Sequence, residues 1–211
     1  WMTGVANLFT LEYFRLARDR LAPGGIYAQW FQMYRMSAEN LEVLLRTFRA
    51  AFPHAYVCNT VPYSDLLLVG SGAPIAIDLD RIEAGMARPE VREDLTRVGI
   101  DGLARLLARA RLGPAELDAL AAGAGPLNTD DNARIEFAAP LDFYRTTRGE
   151  NERLIESVAR GIAPYLDSTD LAARPGLLTR LAEAYGELAF YAEKRWTEAA
   201  AGGGVAASED R

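Results

Sequence analysis

Residues 26–71 read IYAQWFQMYRMSAENLEVLLRTFRAAFPHAYVCNTVPYSDLLLVGS, and this stretch decides the fold. It opens on Ile26-Tyr27-Ala28-Gln29-Trp30-Phe31, a near-continuous apolar run of strand length. Such a run marks a strand buried on both faces, as in a parallel sheet. Ser37 then offers an N-cap hydroxyl to a helix over about 38–51. Leu41, Leu44, Leu45, Phe48 and Phe52 follow one another at helical spacing and make a single apolar face. Pro53 stops the helix. Two β-prone runs come next, Ala55–Thr60 and Leu66–Gly70, split by Val61-Pro62-Tyr63-Ser64-Asp65. A connection of that length between such runs predicts a hairpin.

Working outward, residues 1–9 read as a loop, and Thr10 caps a helix to about Leu21 with Leu11, Phe14 and Leu21 on one face. Pro23-Gly24-Gly25 ends it, with glycine where a helix stop needs a left-handed residue. Residues 1–72 therefore read helix, strand, helix, strand, strand. That is α/β in character, like the second half of a doubly wound sheet finished by an antiparallel pair. The composition changes near Gly72. Short Ala/Arg/Leu-rich helices are expected at 79–87, 90–98, 101–111 and 115–122, and Arg134–Phe137 reads as one more short strand. Helices at about 150–166 and 175–199 close the fold, and the Gly-rich tail is expected to be disordered. The chain thus divides into an α/β part (1–72), a helical insertion ending in Thr129-Asp130-Asp131-Asn132 and the short strand (73–140), C-terminal helices (141–200) and a tail (201–211).

Composition excludes several function classes. The 211 residues carry 23 Lys+Arg against 29 Asp+Glu, a formal charge of -6, and nucleic acid calls for a basic face instead. One cysteine, Cys58, precludes a disulfide framework and any cysteine-based metal site. One histidine, His54, precludes a multi-histidine metal site. No apolar run approaches the ~18 residues of a membrane span, and no basic start followed by an apolar stretch marks a signal peptide. The preference for Arg over Lys and the abundance of Ala suggest a GC-rich bacterial genome. Trp1 opens the sequence in loop-like residues, so the chain is expected to be part of a longer protein.

Few residues carry chemistry. Gly24-Gly25 follows a helix instead of joining a strand to a helix, so it reads as a helix stop and not as a phosphate loop. His54, Ser64 and Asp65 lack a nucleophile elbow and do not read as a triad. Asp130, Asp131 and Glu136 match no calcium loop, and the Thr-Asp-Asp-Asn run reads as a turn. Cys58 reads as a core residue. Trp30, Phe31 and Tyr34 read as core and rim before an aromatic cage for a cation. Gln29 is the informative polar residue. A buried amide without partners costs ~1–3 kcal/mol, so Gln29 must pair with backbone or face a polar cleft. Its place near the carboxyl end of a strand leaves structural and ligand roles evenly balanced. Tyr63, in the hairpin loop, has the same ambiguity.

LFTLEYFRLARDRLAPGGIYAQW (8–30), SAENLEVLLRTFRAAFPHAYV (37–57) and VPYSDLLLVGS (61–71) resemble the latter half of the spermidine synthase family. These are polyamine aminopropyltransferases on an S-adenosylmethionine methyltransferase-like Rossmann fold. Trp1–Thr10 and Leu127–Phe137 are similar to segments of its bacterial spermidine-synthase-like branch, some of whose members are fused to transporter-like membrane segments. The resemblance covers about residues 1–140. It implies that this chain is the C-terminal half of such a Rossmann fold followed by a mainly helical region.

The resemblance also implies a substrate wall. Gln29 matches the family's strand-end glutamine of the amine pocket, and Tyr63 matches its loop tyrosine loosely, the loop here being one residue shorter. The co-substrate would be decarboxylated S-adenosylmethionine, the acceptor a small polyamine, and the location cytoplasmic. The cofactor loop and the catalytic aspartate are expected upstream of Trp1. No catalytic, cofactor-binding or metal-ligating residue is therefore expected within the chain, which alone is expected to be inactive. A homodimer and an upstream membrane-spanning segment stay open. So do two other readings: a methyltransferase on the same fold, and a non-catalytic interaction or regulatory domain. With a central strand left open at one edge, the chain alone is expected to be at best marginally stable as a monomer.

Overall fold

The structure, a computed structural model, describes residues 5–61, 64–123 and 125–201, with side chains as far as residue 189. A 3-10 turn at Ala6–Phe9 leads into α1 (Leu11–Asp19), β1 (Tyr27–Gln32), α2 (Ala38–Ala51), β2 (His54–Asn59) and β3 (Asp65–Ser71). The Thr10 hydroxyl accepts from the Tyr13 amide and the Ser37 hydroxyl from the Asn40 amide, so both expected caps form. Gly24 stops the first helical segment at φ +73°. Beyond the hairpin come α3 (Leu79–Met86), α4 (Pro89–Arg97), α5 (Leu103–Leu107), β4 (Ala110–Leu112) and α6 (Pro114–Ala121). The chain continues with α7 (Arg134–Asp142), α8 (Arg148–Val158), α9 (Ser168–Ala172) and α10 (Leu177–Ala201). None of these helices is long and apolar enough to cross a membrane.

The fold is mixed α/β around one four-stranded sheet of order β1-β3-β2-β4. Every neighbouring pair is antiparallel. Because β3 lies antiparallel between β1 and β2, those two strands run parallel to each other, and α2 is the crossover between them. One face of the sheet, with Phe31, Val57, Leu66 and Leu68, packs under α1, α2, α6, α7 and α8. The other face meets a second cluster, in which Tyr56 and Cys58 of β2 pack with Leu107 of α5 and Leu177 and Leu181 of α10.

Four local expectations are corrected. The 26–31 run is not buried on both faces. Burial alternates along β1, Ile26 is 54% and Trp30 49% exposed, and β1 is an edge strand among the described residues. The second helical layer covers the β2 side of the sheet and leaves the β1 side bare. Arg134–Phe137 is the first turn of a helix, with Ile135 and Ala139 buried four residues apart; alternation over four residues is too short to specify a strand. The 101–111 helix stops at Leu107, because Ala110–Leu112 pair with β2 as β4. The 150–166 helix stops at Val158, before Gly161 at φ +67° and a 3-10 turn at Ala163–Tyr165. The tail from Gly202 lies outside the described residues.

Aromatic packing fixes α1 and α2 on the sheet. Phe48 stands edge-on to Phe14 with centroids 5.1 Å apart and lies 4.8 Å from Phe52, while Tyr27 stacks on Phe52 at 5.3 Å. Gly70 of β3 lies directly beneath. A Cβ there would stand 2.5 Å from Phe52 Cγ and 2.9 Å from Phe48 Cζ, both in a core with no slack. Gly70→Ala is therefore expected to destabilise by ~1–3 kcal/mol through overpacking and to lower Tm by several degrees. Gly85→Ala, in α3 with open space around its Cβ, is the control and should be neutral or slightly stabilising. Thermal denaturation followed by circular dichroism decides; equal melting temperatures would show that the aromatic cluster yields.

Candidate functional site

The carboxyl ends of the parallel strands are where open α/β sheets bind ligands. In this fold that region is the turn from β1 to α2, residues 33–37, with the end of β2 and the start of β3 beside it. The turn is held by side chains from far along the sequence. Met33 N–H donates to the Ser64 carbonyl. The Met36 amide donates to Thr147 Oγ1 at 3.0 Å and the Ser37 amide to Asp142 Oδ2 at 2.7 Å. Asn151 Nδ2 donates to both the Met33 and the Met36 carbonyl. Thr147 sits at the N-cap position of α8, yet makes no capping bond with its side chain; its hydroxyl serves the β1–α2 turn. Arg35 adopts φ +54°, a left-handed geometry rare outside glycine. Its guanidinium lies 4.4 Å from the Phe143 ring centroid, and that of Arg148 lies 6.0 Å from the Tyr34 ring.

Asp142 is the electrostatic centre of this clamp. It accepts from the Ser37 amide, from Asn40 Nδ2 at 2.8 Å and from Arg145 at 2.9 Å, and it is 4% exposed. Burial pushes its carboxyl up, but the hydrogen bonds from Ser37, Asn40 and Arg145 outweigh that and hold it below its ordinary value. Two neighbouring polar groups are not used this way. Both amide atoms of Asn59, at the end of β2, are buried without a hydrogen-bond partner, and so is Asp65 Oδ1 at the start of β3. Asn59 and Asp65 lie on opposite faces of the sheet, Asn59 opposite Leu66 and Asp65 opposite Gln32.

Gln29 is placed differently. It shares the α1/α2 face of β1 with Tyr27 and Phe31, where the Tyr27 hydroxyl donates to its Oε1 at 2.5 Å and its Nε2 donates to the Trp30 carbonyl at 3.2 Å. Its amide is satisfied by its own strand. Tyr63 lies outside the described residues. His54 begins β2 and pairs with Ser71, whereas Ser64 and Asp65 lie at the opposite end, about 17–20 Å away along the strand, so no triad forms. Cys58 is half-buried, and burial pushes its thiol up to about 12, which keeps it protonated and unreactive near neutrality.

The Thr129–Asn132 run is a turn. The Thr129 amide donates to Asn132 Oδ1 and the Asn132 amide to Thr129 Oγ1. Asn128 beside it is fully buried and binds the Phe9 carbonyl and the Ile135 amide. Trp30 is exposed, Phe31 is core and Tyr34 is half-buried, so the three do not form one cage.

Another cleft, about 380 Å³, lies between α8 and α10 and is bordered by Arg111, Glu156, Arg160 and Tyr185. Its polar groups are committed inward. Arg111 pairs with Glu152 and Glu156, and the Tyr185 hydroxyl accepts from the Ile162 amide and donates to the Ala110 carbonyl. Burial pushes the Glu152 carboxyl up against the opposing pull of Arg111.

Sequence reading missed Asp142, Thr147 and Asn151. No spacing marks them, because the groups of the β1–α2 turn that they bind lie more than 100 residues away. The one local signal is the polar run Arg145–Asn151, which leads into α8 and forms its first turn. Comparisons with protein-family models, with curated proteins and with solved structures return no match for this chain.

The clamp has a pH signature. The folded Asp142 carboxyl lies below its ordinary value of 3.8, so its stabilisation is complete above that value and is lost as pH falls through 3.8 and then through the folded value. Asp142→Asn should cost ~1–3 kcal/mol at neutral pH. Its urea midpoint should also fall less than that of the parent chain between about pH 5 and pH 3. Parallel acid dependence in the two proteins would show that Asp142 does not carry the effect.

Proposed function

We propose that this chain is the C-terminal part of a spermidine-synthase-like aminopropyltransferase, built on the C-terminal half of a methyltransferase-like Rossmann sheet. The observation that carries the reading is the order β1-β3-β2. A strand–helix–strand crossover joins two parallel strands, and the next strand returns antiparallel into the gap between them. The bare side of β1, with Ile26 and Trp30 exposed, fits a strand that lies inside a larger sheet. In the intact protein the preceding sequence would add strands along β1, supply the Gly-rich loop for decarboxylated S-adenosylmethionine, and bring the aspartate.

The chemistry is a displacement. The neutral amine nitrogen of a polyamine attacks the aminopropyl carbon bonded to the sulfonium, the C–S bond breaks, and methylthioadenosine leaves as a neutral thioether. The proton lost by the amine goes to a carboxylate. This chain would form the amine side of that site through Gln29 and Tyr63, by resemblance. The Asp142 clamp would hold the β1–α2 turn rigid beneath it.

One observation favours a second reading. The Gln29 amide is engaged within β1 by the Tyr27 hydroxyl and the Trp30 carbonyl, which fits a non-catalytic interaction domain. Calorimetry on the protein extended upstream of Trp1 separates the readings. Binding of decarboxylated S-adenosylmethionine, with methylthioadenosine released when putrescine is added, is the expected result. Gln29→Ala should then raise KM for the amine about tenfold or more, the loss of a hydrogen bond to a charged group. Binding of S-adenosylmethionine alone would point to a methyltransferase, and binding of neither to the interaction domain.

A further inference from the structure

Two carboxylates of α8 share one nitrogen of Arg111 on β4. Arg111 Nη2 lies 2.9 Å from Glu152 Oε1 and also bonds Glu156 Oε1. Glu152 and Glu156 stand one turn apart on α8, so their side chains lie on one face of it. The Arg111 side chain is 6% and the Glu152 side chain 8% exposed. Two carboxylates held together away from water repel each other, and a single shared guanidinium offsets only part of that cost. The second oxygen of Glu152, Oε2, is buried without a hydrogen-bond partner. An ionised carboxylate can only accept, so a proton on the pair supplies the donor that is lacking, and the two carboxyls lie within hydrogen-bonding reach of each other.

We propose that Arg111, Glu152 and Glu156 form a proton-operated latch: one proton on the carboxylate pair closes α8 on β4, and loss of that proton loosens α8 together with the β1–α2 turn that it holds. The link to the turn is short. Asn151, the residue before Glu152, binds the Met33 and Met36 carbonyls, and Thr147 at the start of the same helix binds the Met36 amide. The proton belongs to the pair and not to either residue alone.

The charged groups of the elements packed on α8 have other partners. On α6, Glu116 accepts from the Gly113 amide and the Tyr165 hydroxyl and stands 3.9 Å from Arg160. On α2, Glu39 pairs with Arg134, Glu42 with Arg46 and Arg49 with Asp118. On α8 itself Glu150 pairs with Arg145, Arg148 stands over the Tyr34 ring, and Arg153 is exposed. Across the cleft on α10, the Tyr185 hydroxyl is engaged by the Ile162 amide and the Ala110 carbonyl.

The latch and the Asp142 clamp act on the same turn with opposite sign. Burial pushes the Glu152 carboxyl above its ordinary 4.5, so its contribution is complete below 4.5 and is lost as pH rises through the folded value. The Asp142 contribution is complete above 3.8 and is lost as pH falls. The turn is therefore held tightest between about pH 4 and pH 5. The latch does not rest on the proposed activity, because none of its groups belongs to the substrate wall.

Amide hydrogen exchange of the 211-residue chain from about pH 3 to pH 8 tests the proposal, read as protection factors so that the intrinsic pH dependence of exchange cancels. The Met36 and Ser37 amides should be most protected between about pH 4 and pH 5 and lose about threefold or more by pH 8. Glu152→Gln keeps the shape of the side chain and supplies a permanent donor, so its acid-side protection should persist to pH 8. Glu156→Gln, at a half-exposed position, removes the like charge without touching the buried residue and should act in the same direction. Both variants should keep the fall below pH 4 that belongs to Asp142. Glu183→Gln, on an exposed position of α10, should follow the parent chain throughout. Protection that rises steadily with pH in the parent chain overturns the proposal. So does a Glu152→Gln or Glu156→Gln chain less protected than the parent at pH 8, since the doubly ionised pair would then be a net stabilising contact.

Discussion

Buried backbone polar groups must be paired, and the turn between β1 and α2 shows what that demand does to a fold. Residues 33–37 leave the sheet and enter a helix within a few positions, so neither ladder nor helix can satisfy all their N–H and C=O groups. The shortfall is met by Asp142, Thr147 and Asn151, which together pair two amides and two carbonyls. Each bond is worth only ~1 kcal/mol net, but each group left unmade in the interior would cost ~1–3 kcal/mol. The α7–α8 corner is thereby tied to the α/β unit and is not an appendix to it. The same necessity explains why Thr147 gives up the capping bond its position invites, and why Asp142 stays ionised at a site that would otherwise favour its acid form.

What was legible in the sequence was local. Thr10 and Ser37 cap helices because a hydroxyl three residues before a backbone N–H acts over a single turn. The α2 face, the Gly24 stop and the β2–β3 hairpin are likewise fixed by near neighbours in the sequence. Misread elements depended on distant neighbours. The apolar parity of residues 26–31 is present on both faces, but burial on the second face requires a layer to lie on it, and the layer built by α5 and α10 covers β2 and stops short of β1. Ala110–Leu112 looks like the end of a helix until β2 offers it a ladder partner. Gln29 reads in the sequence as a polar residue in need of partners, and its partners are the Tyr27 hydroxyl and the Trp30 carbonyl of its own strand. The clamp was invisible because its partners are separated by more than 100 residues.

Two apolar surfaces are left incompletely covered, and they differ in kind. Trp30 belongs to, and Ile26 directly precedes, a strand whose outer backbone edge is open as well, so what completes that surface must supply hydrogen bonds along with apolar area. Another strand does both. Phe137 and Leu141 lie on a helix and Tyr144 in the turn that follows it, so that surface asks chiefly for apolar area and shape. The two surfaces therefore make different demands and can be filled independently.

Gln29 connects the state of the sheet edge to the proposed chemistry. Its Nε2 is held by the Trp30 carbonyl, a backbone acceptor on the edge strand. An edge carbonyl is what an added strand would claim, and a backbone amide is the better-placed donor once a ladder forms. Any strand that takes the Trp30 carbonyl leaves the Gln29 amide with an unspent donor in a half-buried position, which costs free energy until a ligand accepts from it. Its Oε1 would still be held by the Tyr27 hydroxyl, so the ring–amide pair would present one fixed face. The satisfied amide is then the resting form of an edge strand, and an available amide is the form of an interior one. Whether Gln29 can meet a substrate is decided by what pairs with β1, not by any residue of the β1–α2 turn.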